Sequence, residues 1–444
     1  MEAQRQRLAD AGVHTLLVQF TDVHGVAKGK YVPLHQLAQV VRDGAGFAGP
    51  SIWGTALPRT GPRAEYFARG DLATLQPLPW QPGWARIVGN GHVAGQPFEG
   101  CPRQVLRRAT ARLAARGWQL QTGIEPEFFL LRRSAGGDWL PFDEADGLDK
   151  PSYDLKSLPR QARFLHALRE ALEGCGLTVL QADHEDAHGQ YELNFRHDEA
   201  LRSADHLMLF KLAAQALAEA QGAVFSTMPK PFADQPGSGL HFHVSLWEGA
   251  NNLFAGTSDD MMDPQALSTP AGHFIAGVLA HSAALCALAA PTVNSYKRLV
   301  VGESLSGTSW APAVVARGPN NRTALVRTLA GRFEWRLPDA SANPYLVTAG
   351  LIAAGLDGID RRLAPPPACE DDLFECTPAA LRARGIPALP ASLAEAADAL
   401  EGDAVLGEAL GDALHAELVR LHRSEALAHA RHVSRWELDR YATR

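Results

Sequence analysis

Gly123-Ile124-Glu125-Pro126-Glu127-Phe128 sets two carboxylates at i and i+2, and Leu240-His241-Phe242-His243-Val244-Ser245-Leu246 alternates apolar and polar residues without a break. On a strand, a period of two places Glu125 and Glu127 on one face, and sets His241, His243 and Ser245 opposite Leu240, Phe242, Val244 and Leu246. Either stretch alone is more often a solvated or half-exposed strand. Two more segments shift the balance. In Asp183-His184-Glu185-Asp186-Ala187-His188-Gly189-Gln190-Tyr191-Glu192, Asp183 and Glu185 share a face and Glu192 follows a glycine-containing turn. In Arg332-Phe333-Glu334-Trp335-Arg336-Leu337 two arginines and a glutamate oppose Phe333, Trp335 and Leu337. Aromatic side chains of this size belong against a core, so the polar face of such a strand looks into a lined cavity rather than bulk water. Four strands of this kind predict an α+β protein with one curved antiparallel sheet, flanked by helices, whose inner face collects carboxylates, histidines and arginines.

Working outward, His14–Phe20 and Val26–Val32 read as two short strands joined by Thr21-Asp22-Val23-His24-Gly25, so a small sheet domain opens the chain. Proline and glycine thicken between Gly49 and Gly100, and a helical pattern follows over Val105–Arg116. The boundary is placed near residue 100, giving an N-terminal domain over 1–100 and a larger second domain over 101–444. Within the second, the pattern predicts strand 119–131, helix 159–175, a strand pair over 178–196, helix 204–221, strand 239–247, helix 270–289, strands near 323–337 and a mostly helical tail.

Composition removes several function classes. With 42 basic and 49 acidic residues the formal net charge is −7, which disfavours a nucleic-acid or anionic-membrane surface. Five scattered cysteines without a C-x-x-C pair fit a reducing cytoplasm, and no apolar segment follows the basic residues at the start. The apolar run Phe274–Val293 is interrupted by His281, Ser282 and Pro291, which suits a buried helix better than a membrane span.

So many acids on one sheet face would repel one another, and some would protonate, unless cations neutralise them. Oxygen ligands with only one or two imidazoles favour Mg2+ or Mn2+ over Zn2+. Arg298, Arg322, Arg327, Arg332 and Arg336 stand beside these strands, and guanidinium forks suit phosphate and carboxylate oxygens. Metals with arginines are the parts of phosphoryl transfer. Yet Gly25-Val26-Ala27-Lys28-Gly29-Lys30-Tyr31 has the wrong spacing for a Walker A loop and lacks its Ser or Thr, and Gly89-Asn90-Gly91-His92-Val93-Ala94-Gly95 misses the dinucleotide fingerprint. A nucleotide must bind in another way.

In order along the chain, Glu125-Pro126-Glu127-Phe128-Phe129, His184-Glu185-x(3)-Gly189-Gln190-x-Glu192, Met228-Pro229-Lys230-Pro231 followed by Gly237-Ser238-Gly239-x-His241-x-His243-x-Ser245, Asn294-Ser295-Tyr296-Lys297-Arg298-Leu299-Val300, Asn320-Asn321-Arg322 and Glu334-Trp335-Arg336-Leu337-Pro338-Asp339 resemble the glutamine synthetase family. The resemblance covers nearly the whole chain. It implies a small β-grasp-like domain and a larger catalytic domain, assembled as homo-oligomeric rings, a dodecamer, with active sites between neighbouring subunits. It further implies ATP as co-substrate and roughly two or three divalent ions per site. By motif, Glu127, Glu185 and Glu192 resemble the ligands of one metal, and Glu125, His241 and Glu334 those of a second. Arg298 and Arg336, with Gly237 and His241, resemble the glutamate site. Arg322, Arg327 and Arg332 resemble a phosphate clamp, and His243 and Ser245 fall where the family lines its nucleotide pocket. The implied chemistry phosphorylates the glutamate side-chain carboxylate and lets an amine displace the phosphate, with Glu192 and Arg322 among the catalytic groups.

Departures from the family pattern bear on the amine. Where ammonia-using members carry Phe-Asp-Gly-Ser-Ser, this chain has Phe47-Ala48-Gly49-Pro50-Ser51, so the carboxylate that binds ammonium is replaced by a methyl group. That favours an amine carrying carbon, and ammonia with the deprotonating group moved elsewhere is the alternative. The family's flap glutamate has no clear counterpart between Val301 and Trp310, and Glu303 is the candidate. Asp183 sits two residues before Glu185, where ammonia enzymes usually show histidine, and is the candidate amine base, with Ala48 and Trp310 completing an amine pocket. The surrounding sequence is similar to the type III branch, which includes γ-glutamylmethylamide synthetases, and so implies ligation of glutamate to methylamine. A non-catalytic structural or nitrogen-sensing assembly is the reading from another class. Leu373-Phe374-Glu375 replaces the setting of the tyrosine that some relatives adenylylate, which argues against that regulation.

Overall fold

The computed structural model describes residues 1–258, 260, 262–263, 266–301 and 310–444. After an opening helix, Glu2–Asp10, come β1 (Thr15–Thr21), β2 (Ala27–Pro33), β3 (Ala45–Ala48), β4 (Glu65–Pro77), β5 (Trp84–Val93) and β6 (Gln96–Pro97), ordered β2-β1-β5-β4-β3 with β6 beside β5. β1 and β5 run parallel and the other neighbours antiparallel. The β1–β2 turn is closed by Asp22, whose Oδ1 accepts hydrogen bonds from the backbone N–H of His24 and Val26. Leu16, Val18 and Phe20 alternate into a core of their own with Leu37, Val40, Tyr66 and Ile87, the period-two burial expected of a sheet with one covered face.

A second sheet carries the acidic strands. Its members are β7 (Trp118–Arg133), β8 (Trp139–Pro141), β9 (Val179–His184), β10 (Gln190–Phe195), β11 (Asp198–Glu199), β12 (Val224–Ser226), β13 (Leu240–Glu248), β14 (Asn251–Asn252), β15 (Arg317–Pro319), β16 (Val326–Leu329) and β17 (Arg332–Trp335). The order is β15-β16-β17-β13-β7-β10-β9, with β8, β11 and β12 also on β7 and β14 on β13. The expected antiparallel pairing holds except between β15 and β16, which are parallel. Ile124, Phe242, Val244, Phe333 and Trp335 face helices Pro102–Ala114, Ala200–Glu219 and Pro344–Asp360 in one continuous core. Slipping β13 or β17 by one residue would turn His241 or Glu334 from the polar cavity into the apolar core and take out of that core an aromatic worth roughly 1.5–3 kcal/mol. Hydrophobic packing therefore decides which face carries the acids.

The helix expected over 270–289 is two helices, Thr269–Ala280 and Ser282–Ala289, bent by 75° at His281. The reason lies far away in sequence. His281 Nδ1 lies 2.6 Å from Asp403 Oδ2, and its Nε2 lies 3.1 Å from Asp357 Oδ2. Among the described residues no single helix is long and apolar enough to cross a membrane, and this bent pair is largely buried in the core. All five cysteines are free thiols.

Candidate active site

Strand register assembles the polar face residue by residue. His241 pairs with Glu125 between β13 and β7, His243 with Glu334 between β13 and β17, and Arg327 with Glu334 between β16 and β17. On the other side Glu192 pairs with Glu127 on β7 and with Asp183 on β9. Glu125, Glu127, Glu185, Glu192, His241 and Glu334 line one cavity of about 400 Å3, which Arg298, Arg322, Arg336, Gly237 and Trp310 also border. A second cavity of about 450 Å3 is bordered by His243, Ser245, Arg332 and Trp247, and Glu125 lines both. The residues expected at the nucleotide thus divide. His243, Ser245 and Arg332 face the second cavity, Arg322 faces the first, and Arg327 donates to Glu334 Oε2 at 2.8 Å and to Asn320 Oδ1.

Potential ligand atoms group as Glu125, Glu192 and His241, as Glu125, His243 and Glu334, and as Asp183, Glu185 and Glu192, each within 4.8 Å. These groups share Glu125, Glu185, Glu192, His241 and Glu334 with the sets the resemblance implies, and add Asp183 and His243. Asp183 stands with Glu185 and Glu192, and His243 reaches Glu125 at 3.1 Å while His241 lies 3.6 Å from Glu334. Glu127 Oε2 instead accepts from Gln190 Nε2 at 2.8 Å and from Gly239 N at 2.7 Å.

The two ends of the cavity differ in charge balance. Burial pushes Glu334 up, but Arg336, His241 and His243 outweigh it and bring the carboxyl down to about 2. Glu125 is likewise held far below its ordinary value by His241 and His243 against its burial. At the other end, burial and then Glu127 push Glu185 to about 9 and Asp183, which stands beside Glu185 and Glu192 but does not itself line the cavity, to about 6, and burial with Glu127 and Glu125 drives Glu192 well above a normal carboxyl. Asp183 Oδ1 is buried without a hydrogen-bond partner. An acid cluster short of positive charge, with an orphaned oxygen, fits hard divalent cations.

Arg298 is buried and donates to the carbonyls of Leu337, Arg336 and Pro338, so backbone oxygens fix the guanidinium. Arg336 donates to Glu334 Oε1 and to the Trp310 carbonyl, leaving its Nε buried and unpartnered. Spare donor capacity beside the cavity suits a carboxylate ligand. Ala48 does not border the cavity within one chain. It stands exposed at the end of β3, paired with Glu65. Glu303 lies outside the described residues.

Several cavity residues escaped the sequence reading. Gln190 bridges Glu127 and the Gly237 carbonyl, and its signal was available, because it shares a face with Glu192 two residues on. Gly239 stood inside the Gly237-Ser238-Gly239 motif without a role of its own, and Ser152, Tyr153 and Asp186 had no local signal. Tyr153 and Trp310 both have positive φ, 61° and 54°, a strained setting for aromatic residues that clusters at functional sites.

Residues 99–441 match the model of the glutamine synthetase catalytic domain. The chain belongs to the glutamine synthetase family. Among family members, a glutamate–methylamine ligase of Methyloversatilis universalis is 49% identical over 441 residues, covering 99% of this chain and 98% of its own. A glutamine synthetase of Rhizobium leguminosarum bv. phaseoli is 36% identical over 433 residues, 97% of each chain. A solved structure described as "GmaS/ADP complex-Conformation 1" superposes with a TM-score of 0.91 at 35% identity over 99% of both chains, and one described as "Apo GmaS without ligand" with 0.88 over 100%. Glutamine synthetase family ligases use ATP and divalent metals, and the acid groups above could hold such ions.

Proposed function

We propose that this chain is an ATP-dependent ligase joining the side-chain carboxylate of glutamate to methylamine, with γ-glutamylmethylamide, ADP and phosphate as products. The observation that carries the reading is the 49% identity, over nearly the full length, to a glutamate–methylamine ligase. Ala48 in place of an ammonium-binding acid supports it. In this reading Arg298 and Arg336, with Gly237 and His241, hold glutamate in the first cavity. His243, Ser245 and Arg332 hold ATP in the second, so its phosphates meet glutamate at the wall they share, Glu125. Glu127, Glu185 and Glu192, and Glu125, His241 and Glu334, would hold roughly two or three Mg2+ or Mn2+ ions, whose charge stabilises the moving phosphoryl group.

The remaining work falls to side chains. A glutamate side-chain oxygen attacks the terminal phosphorus of ATP and ADP departs, while Arg322 faces the transferred group and Arg327 holds Glu334 in place. Asp183 takes a proton from methylammonium. The freed amine attacks the acyl carbon, and the carbon–oxygen bond breaks to release phosphate. Asp183, whose buried Oδ1 has no hydrogen-bond partner and which stands beside Glu185 and Glu192, is placed to accept that proton. Asp183→Asn is therefore expected to cut methylamine turnover about a hundredfold while glutamate-dependent ADP formation in a single turnover persists. Unchanged turnover with methylamine would remove Asp183 from this role.

We further place residues 1–100 and 101–444 as two domains of a cytoplasmic homo-oligomer, a dodecamer, in which Ala48 reaches a neighbouring subunit's amine site. Its exposure within one chain supports that placement. The test of function is phosphate release with glutamate, ATP and Mg2+, comparing ammonium, methylamine and ethylamine at equal free-base concentration. Methylamine is expected to be preferred. Preference for ammonium would make the enzyme a glutamine synthetase and overturn the reading.

A further inference from the structure

Two aromatic residues border the first cavity from different parts of the chain, Tyr153 in the loop before the Ala162–Gly174 helix and Trp310 just before β15. Both carry positive φ, and both remain substantially exposed, at 67% and 41%. Left-handed backbone at a bulky residue is strained and persists only where the surroundings hold it. Here one carboxylate touches both sides. Asp186 Oδ1 accepts from Ser152 Oγ, next to Tyr153, and Asp186 Oδ2 accepts from Trp310 Nε1. Further bonds anchor the two segments. Tyr153 N donates to the His184 carbonyl at 2.9 Å, and the Trp310 carbonyl accepts from Arg336 at 3.2 Å.

We infer that Asp186 is a specificity-determining positioning residue, a clasp that holds Tyr153 and Trp310 as an aromatic wall for the alkyl group of the acceptor amine. The inference rests on the proposed ligase reading and deepens it at one pocket. An alkylammonium ion is attracted by aromatic faces and buries its methyl group against them, whereas ammonium carries no carbon to bury. A wall of this kind discriminates only when fixed, because two rings free to swing accommodate either cation. Asp186 itself need touch neither substrate nor nucleotide, and it acts through Trp310 and the Ser152–Tyr153 segment.

The experiment is a double-mutant cycle on Asp186→Ala and Trp310→Phe in the full-length protein, with Asp186→Asn as the isosteric variant. The phenylalanine keeps an aromatic ring but lacks the indole N–H that Asp186 accepts. The readout is the ratio of kcat/KM for methylamine to that for ammonium, with KM for ATP and the native assembly mass as controls. Each single variant is expected to lower the ratio about tenfold, through KM for methylamine. The double variant is expected to fall no more than about twofold further, as for two partners in one interaction. A ratio unchanged in Trp310→Phe and Asp186→Asn, or effects that multiply in the double variant, would overturn the clasp. The wild-type ratio tests the ligase reading separately, since the change on mutation is read whichever amine the parent prefers.

Discussion

Glu192→Gln is expected to lower ATP-dependent phosphate release about a thousandfold or more while leaving the metal-free protein at least as stable as its parent. Glu192 is 7% exposed, lies in two of the three potential ligand groups, and accepts from Asn194 Nδ2 at 2.9 Å. Glutamine keeps an oxygen for that bond and removes only the charge. The stability effect follows from the direction of the pKa shifts. Burial, then Glu127, raise Glu192 well above its ordinary value, bring Glu185 to about 9, and take Asp183 to about 6. A carboxyl with a raised folded-state pKa holds a proton that the unfolded chain releases above roughly pH 4.5. Its penalty on folding therefore grows as pH rises from the unfolded towards the folded value. Metal-free wild-type protein should accordingly lose melting temperature from about pH 5.5 to about pH 8.5 in chelator. Excess Mg2+ binds the ionised form, so its stabilising shift should grow over the same interval. The glutamine variant should show a flatter profile in chelator and a smaller Mg2+ shift. Scanning calorimetry with and without Mg2+ measures both, and a variant retaining full activity and the full Mg2+ shift would remove Glu192 from metal binding.

Gly239→Ala should cost about a hundredfold in kcat/KM for glutamate, an effect of close approach rather than of backbone conformation. A β-carbon at position 239 would lie 2.8 Å from His241 Nε2, 2.9 Å from Glu127 Oε1 and 3.2 Å from Arg298 Nη2. The backbone cannot simply retreat. Gly239 N donates to Glu127 Oε2 at 2.7 Å, its carbonyl accepts from Glu127 N at 3.2 Å, and a bridge ties it to Asp339. The added methyl must instead displace an expected metal ligand or the arginine placed on glutamate, and misplacement of about 1 Å costs about a hundredfold in rate. Position 239 does not border the second cavity, so KM for ATP should change little. Steady-state kinetics with each substrate varied checks this, and constants for glutamate within threefold of the parent would show that the packing there yields.

Much of this was legible in the chain itself. Alternation over Leu240–Leu246 and Arg332–Leu337 put the right residues on the cavity face, because side-chain direction along a strand is local geometry with a period of two. Ordered motifs named the family, and the missing acid at Ala48 was visible as a single letter. What no local pattern carries is adjacency between strands. The ligand groups pair Glu192 with Asp183 and Glu125 with His243 because register across the sheet is set by packing of Phe242, Phe333 and Trp335 on the opposite face. The bend at His281 depends on two aspartates about eighty and about one hundred and twenty residues downstream. Asp186 becomes a clasp only when a loop at 152 and a residue at 310 come to its two oxygens. Facing is a property of neighbours in sequence and was determined there. Grouping belongs to neighbours in space, and hydrophobic burial on the far side of the sheet decided it.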